Sequence, residues 1–338
     1  MSKLALTCVT MPKALLGVMQ TIFLVGPTAV GKSAVALELA RRLNGEIVSA
    51  DSMQVYRGLD IGTAKPTVAE RRAVSHHLID ICESGEPFDV KRFVNLAATA
   101  ITDIQVRGKT ALVVGGTGLY VRALRHGLFD GPGRDPELRK SLECKTTSEL
   151  FDELQRVDPL TAAKIDRHNP RRLVRALEVF YATGTPIAKQ QTEWGNVERA
   201  SSPLLGMGVN GLEARSTAFC LTRDRADLNA RIEHRIDVQI AAGWVEEVRG
   251  LLVRGLEKNP TAMQAAGYRE LVAHLRGELS LTETVALIKT RTRQLAKRQM
   301  TWFRREPGLT FIDIEVDEPP TQTAERILKI IEGDNATH

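Results

Sequence analysis

The stretch IFLVGPTAVGKSAV, residues 22–35, constrains the fold more than any other feature of the chain. Gly26, Gly31, Lys32 and Ser33 match the pattern G-x-x-x-x-G-K-[ST], with an apolar strand before it and an amphipathic helix after it. The glycines let successive backbone N–H groups point inward, and the helix N-terminus adds partial positive charge. Lys32 is expected to reach an outer phosphate, and the Ser33 hydroxyl to ligate Mg²⁺. The motif predicts a site for linked phosphates but does not say which molecule carries them.

The segment from residue 21 to 125 alternates short apolar runs with helical patterns. We predict strands at TIFLVG, GEIVSAD, HHLIDI and TALVVGG, and helices at KSAVALELARRL and at 89–106. This alternation predicts a parallel sheet flanked by helices, an α/β core of the P-loop type. Ligands of such sheets bind at the carboxyl ends of the strands, where Asp51 and the GGTG segment at 115–118 fall.

The pattern changes near FDGPGRDPELR, after which the chain reads as purely helical until about residue 195. Strand character returns in PLLGMGV, TAFCLTR and LTFIDIE, with long helices between the last two and a closing helix at 321–332. We therefore predict a catalytic core made of residues 21–130 and 200–338, interrupted by an all-helical insertion domain at 131–199. Residues 1–20 are interpreted as a loose N-terminal extension.

The composition is that of an ordinary globular protein, since 43% of the 338 residues are hydrophobic and 26% are charged. The formal net charge of +5 permits a polyanionic partner without requiring one. The four cysteines are far apart, which argues against a zinc clamp or a disulfide framework and favours a reducing cytoplasm. No apolar run reaches the roughly 18 residues of a membrane span.

A hydrolase with this phosphate loop would normally carry a magnesium-binding acid at the end of a second apolar strand. Here ALVVGG ends in glycines, and the only carboxylate in a comparable place is Asp51. Motif logic leaves two roles open for Asp51: a metal ligand in an ATPase, or a proton acceptor in a transferase. Nearby, Thr63 and Lys65 of DIGTAKP are candidates for contact with an anionic ligand, with a solvated loop lysine as the alternative.

Basic residues are concentrated in KTRTRQLAKRQMTWFRR, residues 289–305, which contains no acid. A solvated helix normally mixes both signs of charge, so this stretch predicts contact with a polyanion. At helical spacing, one side carries Arg291, Arg298 and Arg305, and another carries Arg293, Lys297 and Arg304.

The predicted insertion domain carries a second basic cluster, formed by Arg167, Arg171, Arg172 and Arg175. Two basic patches would suit a cleft that holds a nucleic-acid backbone. The alternative is salt-bridge lacing with Asp158, Asp166 and Glu178. Separately, Arg231 and Arg235 lie four residues apart on one helical face, where they are available for a diphosphate or for carboxylates.

Taken together, these residues resemble the tRNA dimethylallyltransferase family, the isopentenyl transferases that modify the adenine 3′ of the anticodon. The matching stretches are GPTAVGKS, SADSMQVYRGLDIGTAKP, VVGGTGLY, PRRLVRALEV, AAGYRE and TRQLAKRQMTWFR, in the family's order from about residue 22 to 305. Several are long and unusual, so this match is more specific than the phosphate loop alone. The first 20 residues are not part of it.

The resemblance implies that the loop holds the diphosphate of dimethylallyl diphosphate, with Mg²⁺ as cofactor and Ser33 as its protein ligand. The implied catalytic residues are Asp51, as general base toward the adenine amine, together with Thr28 and Arg235 near the diphosphate. The implied diphosphate-binding residues run without a gap: Gly26, Pro27, Thr28, Ala29, Val30, Gly31, Lys32 and Ser33. A missing hydrolytic apparatus is then expected, because water must be kept from a cation-like allylic centre.

The resemblance also implies a set of tRNA-contacting residues and a target base that leaves its stack, with Gln54 and its neighbours reading the flipped base. The chain has MQAAGYR where the family has a more polar IRCVGYR form, which weakens the assignment of Gln264. The full implied set is Asp51, Ser52, Met53, Gln54, Thr117, Arg139, Arg171, Arg172, Leu173, Val174, Arg175, Gln264, Gly267, Tyr268, Arg269, Lys297, Arg298, Gln299, Trp302 and Arg304.

Three other functions compete with the tRNA prenyltransferase at this point. A transferase of free adenine nucleotides would not need two basic stretches. A P-loop kinase or ATPase predicts an acid after ALVVGG, and a non-catalytic RNA-binding protein leaves the phosphate loop unexplained. The expected partners are therefore tRNA and dimethylallyl diphosphate, with no membrane, in a cytoplasmic monomer.

Overall fold

The structure is a computed structural model that describes residues 21–127, 132–133, 135–187, 189 and 216–336. The chain divides into two compact units, one formed by Met1–Leu124 and Met207–His338 and the other by Arg125–Gly206. The predicted N-terminal extension, the predicted domain boundaries near 131 and 199, and the predicted strand PLLGMGV lie outside the described residues.

The first unit is built on a six-stranded sheet in which all pairings are parallel. Its strands are β1 (Thr21–Val25), β2 (Gly45–Ser49), β3 (His76–His77), β4 (Thr110–Gly115), β5 (Ser216–Arg223) and β6 (Thr310–Ile314). Their order in the sheet is β3-β2-β4-β1-β5-β6. β1 therefore lies inside the sheet, and all five of its residues are buried, as expected for an apolar strand covered on both faces. The predicted parallel α/β core is confirmed.

The predicted strand HHLIDI is shorter than expected. Only His76 and His77 pair with β2, because Leu78 and Asp80 adopt left-handed φ angles of 62° and 57°. A left-handed residue turns the chain away from the extended path that a ladder needs.

Nine α-helices of the described residues begin outside the second unit. Four begin before it in the sequence: α1 (Lys32–Arg42), α2 (Val68–Ala73), α3 (Val90–Val106) and α4 (Gly118–His126). Five follow it: α9 (Arg225–Ala241), α10 (Trp244–Val253), α11 (Tyr268–Leu275), α12 (Leu281–Phe303) and α13 (Pro320–Ala336). Local signals fix several of their starts. Asp89 caps α3, and Ser280 forms a capping box with Glu283 at the start of α12. Each such cap contributes about 1 kcal/mol.

The described residues of the second unit contain no strand, and their helices include α5 (Pro136–Glu143), α6 (Thr147–Val157), α7 (Pro159–Ala162) and α8 (Pro170–Thr183). Three of them have proline in the first turn, where a missing N–H costs nothing. Leu150, Leu154, Leu173 and Leu177 form part of its core. No helix in the described part of the whole chain is long and apolar enough to cross a membrane.

Candidate active site

The phosphate loop connects β1 to α1 as the sequence predicts. Gly26 and Gly31 have φ angles of 145° and 111°, which side-chain-bearing residues rarely adopt. A Cβ on Gly26 would also lie 2.7 Å from the carbonyl oxygen of Leu221 in β5. Two independent constraints, conformation and close approach, therefore require glycine at this position.

Lys32 folds back over the loop. Its Nζ donates to the carbonyl oxygens of Gly26 (2.9 Å) and Pro27 (2.6 Å). Burial lowers the pKa of Lys32 to about 8, while the negative charge of Asp51 acts in the opposite direction. The Lys32 ammonium is thus held at the phosphate loop, where an anion that binds the loop would contact it.

Asp51 follows β2 and stands at the carboxyl edge of the sheet. Its Oδ1 accepts hydrogen bonds from the backbone N–H of Met53 (2.8 Å) and Gln54 (3.4 Å), whereas its Oδ2 has no hydrogen-bond partner among the described residues. Next to it, Thr117 of the GGTG segment accepts from the N–H of Ser52 at 3.1 Å. The carboxylate is thus fixed through one oxygen and open at the other.

Arg235 and Arg231 of α9 both reach the phosphate loop. Arg235 donates from a terminal nitrogen to the Thr28 hydroxyl (3.1 Å), and Arg231 donates from Nε to the Ala29 carbonyl (3.1 Å). Burial lowers the pKa of Arg235, against the opposing effect of the Asp51 charge. The predicted guanidinium pair therefore lies beside the loop, so the structure places it with the other candidate donor-site residues.

Two cavities adjoin at this edge of the sheet. The first, of about 440 Å³, is lined by the phosphate loop, by Arg231 and Arg235, and by apolar side chains that include Leu37 and Ile47. The second, of about 330 Å³, has Arg298 among its lining residues. The residues that line both are Thr28, Asp51, Thr63, Gly116, Arg235 and Gln299; those lining only the second include Ser52, Met53, Thr117, Gln264, Leu295 and Trp302. The open carboxylate is thus at the junction of two chambers.

Gln299 joins the loops that follow β1 and β4. Its Oε1 accepts from the Thr28 N–H at 2.9 Å, and its Nε2 donates to the Gly116 carbonyl at 3.0 Å. Gln54 makes similar use of its amide: Nε2 donates to the Thr63 carbonyl at 3.2 Å, and Oε1 accepts from the Ser49 hydroxyl at 3.0 Å. Both amides, predicted to contact tRNA, are engaged with protein groups in this structure.

The basic stretch of α12 divides into two halves. Arg291 pairs with the buried Glu270, Arg293 pairs with Glu233 (2.6 Å), and Lys289 pairs with Asp237 (2.7 Å). These acids come from other helices, so a sequence window could not reveal them. In the described chain the second half, consisting of Lys297, Arg298, Arg304 and Arg305, has no ion-pair partner. The surface predicted for a polyanion is therefore confined to that half.

Several residues assigned to tRNA contact have buried side chains. Tyr268 is fully buried, and its hydroxyl donates to Glu247 at 2.7 Å. A Cβ on Gly267 would lie 2.1 Å from the Trp244 ring, so this glycine is needed for packing. In the second unit, Leu173 and Val174 belong to the hydrophobic core. These side chains stabilise the fold from its interior. Arg269, which follows Tyr268, is exposed and stays a candidate for contact with tRNA.

The basic cluster of the second unit is partly neutralised. Arg175 donates to the fully buried Glu178 at 2.9 Å, and a terminal nitrogen of Arg139 lies 3.9 Å from the same carboxylate. The salt-bridge alternative therefore describes Arg175, and Arg139, which lies outside the cluster, is near the same carboxylate. Arg171 and Arg172 are exposed at the first turn of α8.

Lys65 has neither of the roles considered for it. Its side chain is 1% exposed, and Nζ contacts Asp60 (2.5 Å), Asp80 (2.6 Å) and the Tyr56 carbonyl (2.8 Å). It anchors the loop that carries Thr63.

Sequence reasoning missed a second anchor of the same loop. The Glu247 carboxylate accepts from the backbone N–H of Asp60 (2.9 Å), Ile61 (2.6 Å) and Gly62 (3.3 Å). No local signal distinguishes this acid from its neighbour Glu246 on α10.

A magnesium ion is compatible with the donors present. Ser33 lines the first cavity, and its hydroxyl has no hydrogen-bond partner among the described residues. The described residues contain no cluster of three or more acids, histidines or cysteines that would form a cage. Mg²⁺ commonly keeps several waters and takes few protein ligands beside substrate phosphates, so a lone hydroxyl fits this mode of binding.

The fold and these cavities define a class: an α/β protein of the P-loop type with a second chamber beside its phosphate loop. The family model described as IPP transferase matches residues 54–306, and the model described as Isopentenyl transferase matches residues 19–82. A tRNA dimethylallyltransferase 1 of Trichlorobacter lovleyi is 48% identical over 297 residues, covering 87% of this chain and 93% of that one. The enzyme of Geobacter metallireducens is 49% identical over 292 residues, covering 85% and 90%.

Solved structures agree with these sequence relatives. The tRNA isopentenylpyrophosphate transferase of Bacillus halodurans superposes with a TM-score of 0.68 at 38% identity, covering 94% of this chain and 97% of that one. A eukaryotic dimethylallyltransferase acting on tRNA gives a TM-score of 0.76 at 27% identity, covering 93% and 80%. The chain belongs to the tRNA dimethylallyltransferase family.

Proposed function

We infer that this protein transfers the dimethylallyl group of dimethylallyl diphosphate to the exocyclic amine of the adenine 3′-adjacent to the anticodon in tRNA. Diphosphate is released. The observation that carries this function is the junction of two cavities at Asp51, one beside the phosphate loop and the other beside the basic half of α12. A group-transfer enzyme needs this arrangement, because donor and acceptor must meet at one point.

The first cavity supplies what a departing diphosphate requires. The Lys32 ammonium and the Arg235 guanidinium, both held at the phosphate loop, are donors for the negative charge that grows as the carbon–oxygen bond breaks. Leu37 and Ile47 offer an apolar wall to the prenyl chain. An apolar wall also keeps water from the cation-like carbon, which it would otherwise hydrolyse.

Asp51 is placed to take the proton of the amine. The nitrogen forms its bond to the allylic carbon while the bond from that carbon to the diphosphate oxygen breaks, and the electron pair leaves with diphosphate. The nitrogen then gives up a proton, which the open Oδ2 of Asp51 can accept while Oδ1 stays bonded to Met53. General-base assistance of this kind contributes about 10²–10⁴ in rate.

Mg²⁺ is proposed as the cofactor, with Ser33 as the protein group that would hold it beside the donor phosphates. When bound, it supplies positive charge that stabilises the leaving diphosphate.

The acceptor side is proposed to receive a base that has left its stack. Thr117, Trp302 and Arg298 line the second cavity, where an indole can stack on a base and a guanidinium can contact a phosphate. Lys297 and Arg304 are exposed cations on another side of this stretch, where they line a separate cavity. We propose that the enzyme acts on tRNA in the cytoplasm as a monomer, with one acceptor per site.

The test supplies protein and Mg²⁺ with radiolabelled dimethylallyl diphosphate and either unmodified tRNA or AMP. We expect label in tRNA and none in AMP. Asp51→Asn, which keeps the shape of the side chain, should lower kcat about 10²–10⁴-fold and leave the Kd for tRNA within about threefold. Label in AMP would support the free-nucleotide enzyme, and a large loss of tRNA affinity in Asp51→Asn would make Asp51 a binding residue instead.

A further inference from the structure

Gln299 lies between the cationic residues Arg298 and Arg304, yet its side chain is bonded to the protein. Its amide spans the loops after β1 and β4, accepting from the Thr28 N–H at 2.9 Å and donating to the Gly116 carbonyl at 3.0 Å. It lines both cavities at their junction. Both ends of the side chain are therefore committed to the protein where donor and acceptor would meet.

The GGTG segment is shaped to admit this contact. A Cβ on Gly116 would lie 2.5 Å from the Gln299 Nε2, and a Cβ on Gly118 would lie 2.2 Å from the Trp302 ring. The φ angle of Gly116 is not in the left-handed region, so its backbone would accept an alanine. The hydrogen bond of Gln299 therefore depends on glycine at 116, because a Cβ there would displace the amide, whereas the conformation of the chain does not demand glycine.

The contact with Gln299 leaves no free hydrogen-bond donor on the backbone of Thr28. Its N–H is used by Gln299, and its hydroxyl accepts from Arg235 at 3.1 Å. The backbone of the residue that orients Arg235 is thus fixed by a side chain from α12. Since Arg298 precedes Gln299 and lines only the second cavity, one turn of helix touches the acceptor chamber and holds the donor loop.

We propose that Gln299 is a positioning residue that sets the spacing between the phosphate loop and the GGTG segment, so that the two substrates are aligned for transfer. This role rests on the proposed function and differs from direct contact with RNA. Its loss displaces Thr28 and Arg235 and leaves the basic surface unchanged. A displacement of about 1 Å at a reacting centre can cost about 100-fold in rate.

The first experiment separates alignment from RNA binding. Gln299→Met keeps the length of the side chain and removes both hydrogen bonds; it should lower kcat about 10–100-fold and change the Kd for tRNA, measured by filter binding, by less than about threefold. The matched control is the neighbouring Arg298→Met, which should raise the Kd for tRNA instead. An unchanged kcat in Gln299→Met, or a Kd that rises as in the control, overturns the proposal.

The second experiment is a double-mutant cycle with Gly116→Ala. In the wild-type background the new Cβ displaces the Gln299 amide, so kcat should fall about as far as in Gln299→Ala. In the Gln299→Ala background the space is vacated, and adding Gly116→Ala should lower kcat less than about twofold further. Gly116→Ala perturbs the contact from its other side, so if Gln299→Ala does not fold, Gly116→Ala alone is the test. A fall in kcat without a rise in the Kd for tRNA then supports the proposal, and an unchanged kcat overturns it.

Additive effects of the two changes would mean independent roles and would overturn the proposal. The wild-type reaction is the separate control for the function itself. If the wild type transfers no label to tRNA, the proposed function fails; if it does and the cycle is additive, only the role of Gln299 fails.

Discussion

Replacing Glu247 with glutamine tests how the loop at 60–64 is held. The Oε2 of Glu247 accepts from the N–H groups of Asp60 and Ile61, and its Oε1 accepts from Gly62 and from the Tyr268 hydroxyl. The substitution keeps the size of the side chain and turns one acceptor into a donor. The loop also has no room to shift, since a Cβ on Gly62 would lie 2.5 Å from the Tyr268 ring.

The cost can be worked from these contacts. The best orientation keeps the amide oxygen on Asp60 and Ile61, and the Tyr268 hydroxyl rotates to accept from the new NH₂. The Gly62 N–H then faces a donor, which costs about 1–2 kcal/mol at this half-buried site. Exchanging a charged for a neutral acceptor in the two retained bonds costs about 1 kcal/mol more. We expect Glu247→Gln to lower the free energy of unfolding by about 2–3 kcal/mol.

The assay is urea unfolding followed by tryptophan fluorescence, with Glu246→Gln as the matched control. Glu246 precedes Glu247 on α10 and is exposed, and its ion-pair partner among the described residues is Arg249. Its substitution should change stability by less than about 0.5 kcal/mol. Since Thr63 lines both cavities, Glu247→Gln should also raise the KM for one or both substrates. Equal midpoints for the two variants would refute the assigned anchoring role.

Three further outcomes are expected. Hydrogen bonds, chiefly from Arg107, hold the pKa of the buried Glu46 below its usual range. The stabilising contribution of Glu46 is therefore present above about pH 5 and is lost as the pH falls. Thermal scans from pH 7 to 3 should show a steeper loss of Tm in the wild type than in Glu46→Gln, and parallel curves would contradict this. Lys65→Met should lower the free energy of unfolding by about 1–3 kcal/mol in urea, because the Tyr56 carbonyl and two partly exposed carboxylates lose their partner. A loss below about 0.5 kcal/mol would mean that water replaces the ammonium. Arg298→Ala should reduce the slope of log Kd for tRNA against log salt by about 1. Arg291→Ala breaks a pair with the buried Glu270, so it should lower Tm and leave the slope unchanged. Equal slopes in the two variants would count against the division of α12 into a paired and an unpaired half.

Features set by neighbours in sequence could be predicted from the sequence. The phosphate loop, the strands beside it and the position of Asp51 at a strand end depend on short patterns of glycine, apolar residues and polar breaks. The structure has each of them. The same patterns failed for HHLIDI, where left-handed residues end the strand after two residues.

Features set by distant partners could not be predicted. Arg291 was predicted to contact a polyanion because its partner Glu270 is on another helix. Lys65 was assigned to an anionic ligand or to solvent because the loop path that brings Asp60 and Asp80 to it cannot be read from the sequence. The family resemblance likewise assigned Tyr268 to RNA contact, although its side chain is buried against Trp244. Charge counted along a sequence overestimates the surface charge wherever opposite charges meet only in the folded chain.

The sheet order also determines when β1 can be completed by its neighbours during translation. β1 and β5 are adjacent, yet about 190 residues lie between them. At roughly 5–20 residues per second, β5 leaves the ribosome about 10–40 s after β1, and until then one edge of β1 is uncovered and Gly26 lacks the strand against which it packs. The phosphate loop is the first motif to be made, and it is completed only when Gln299 has been translated.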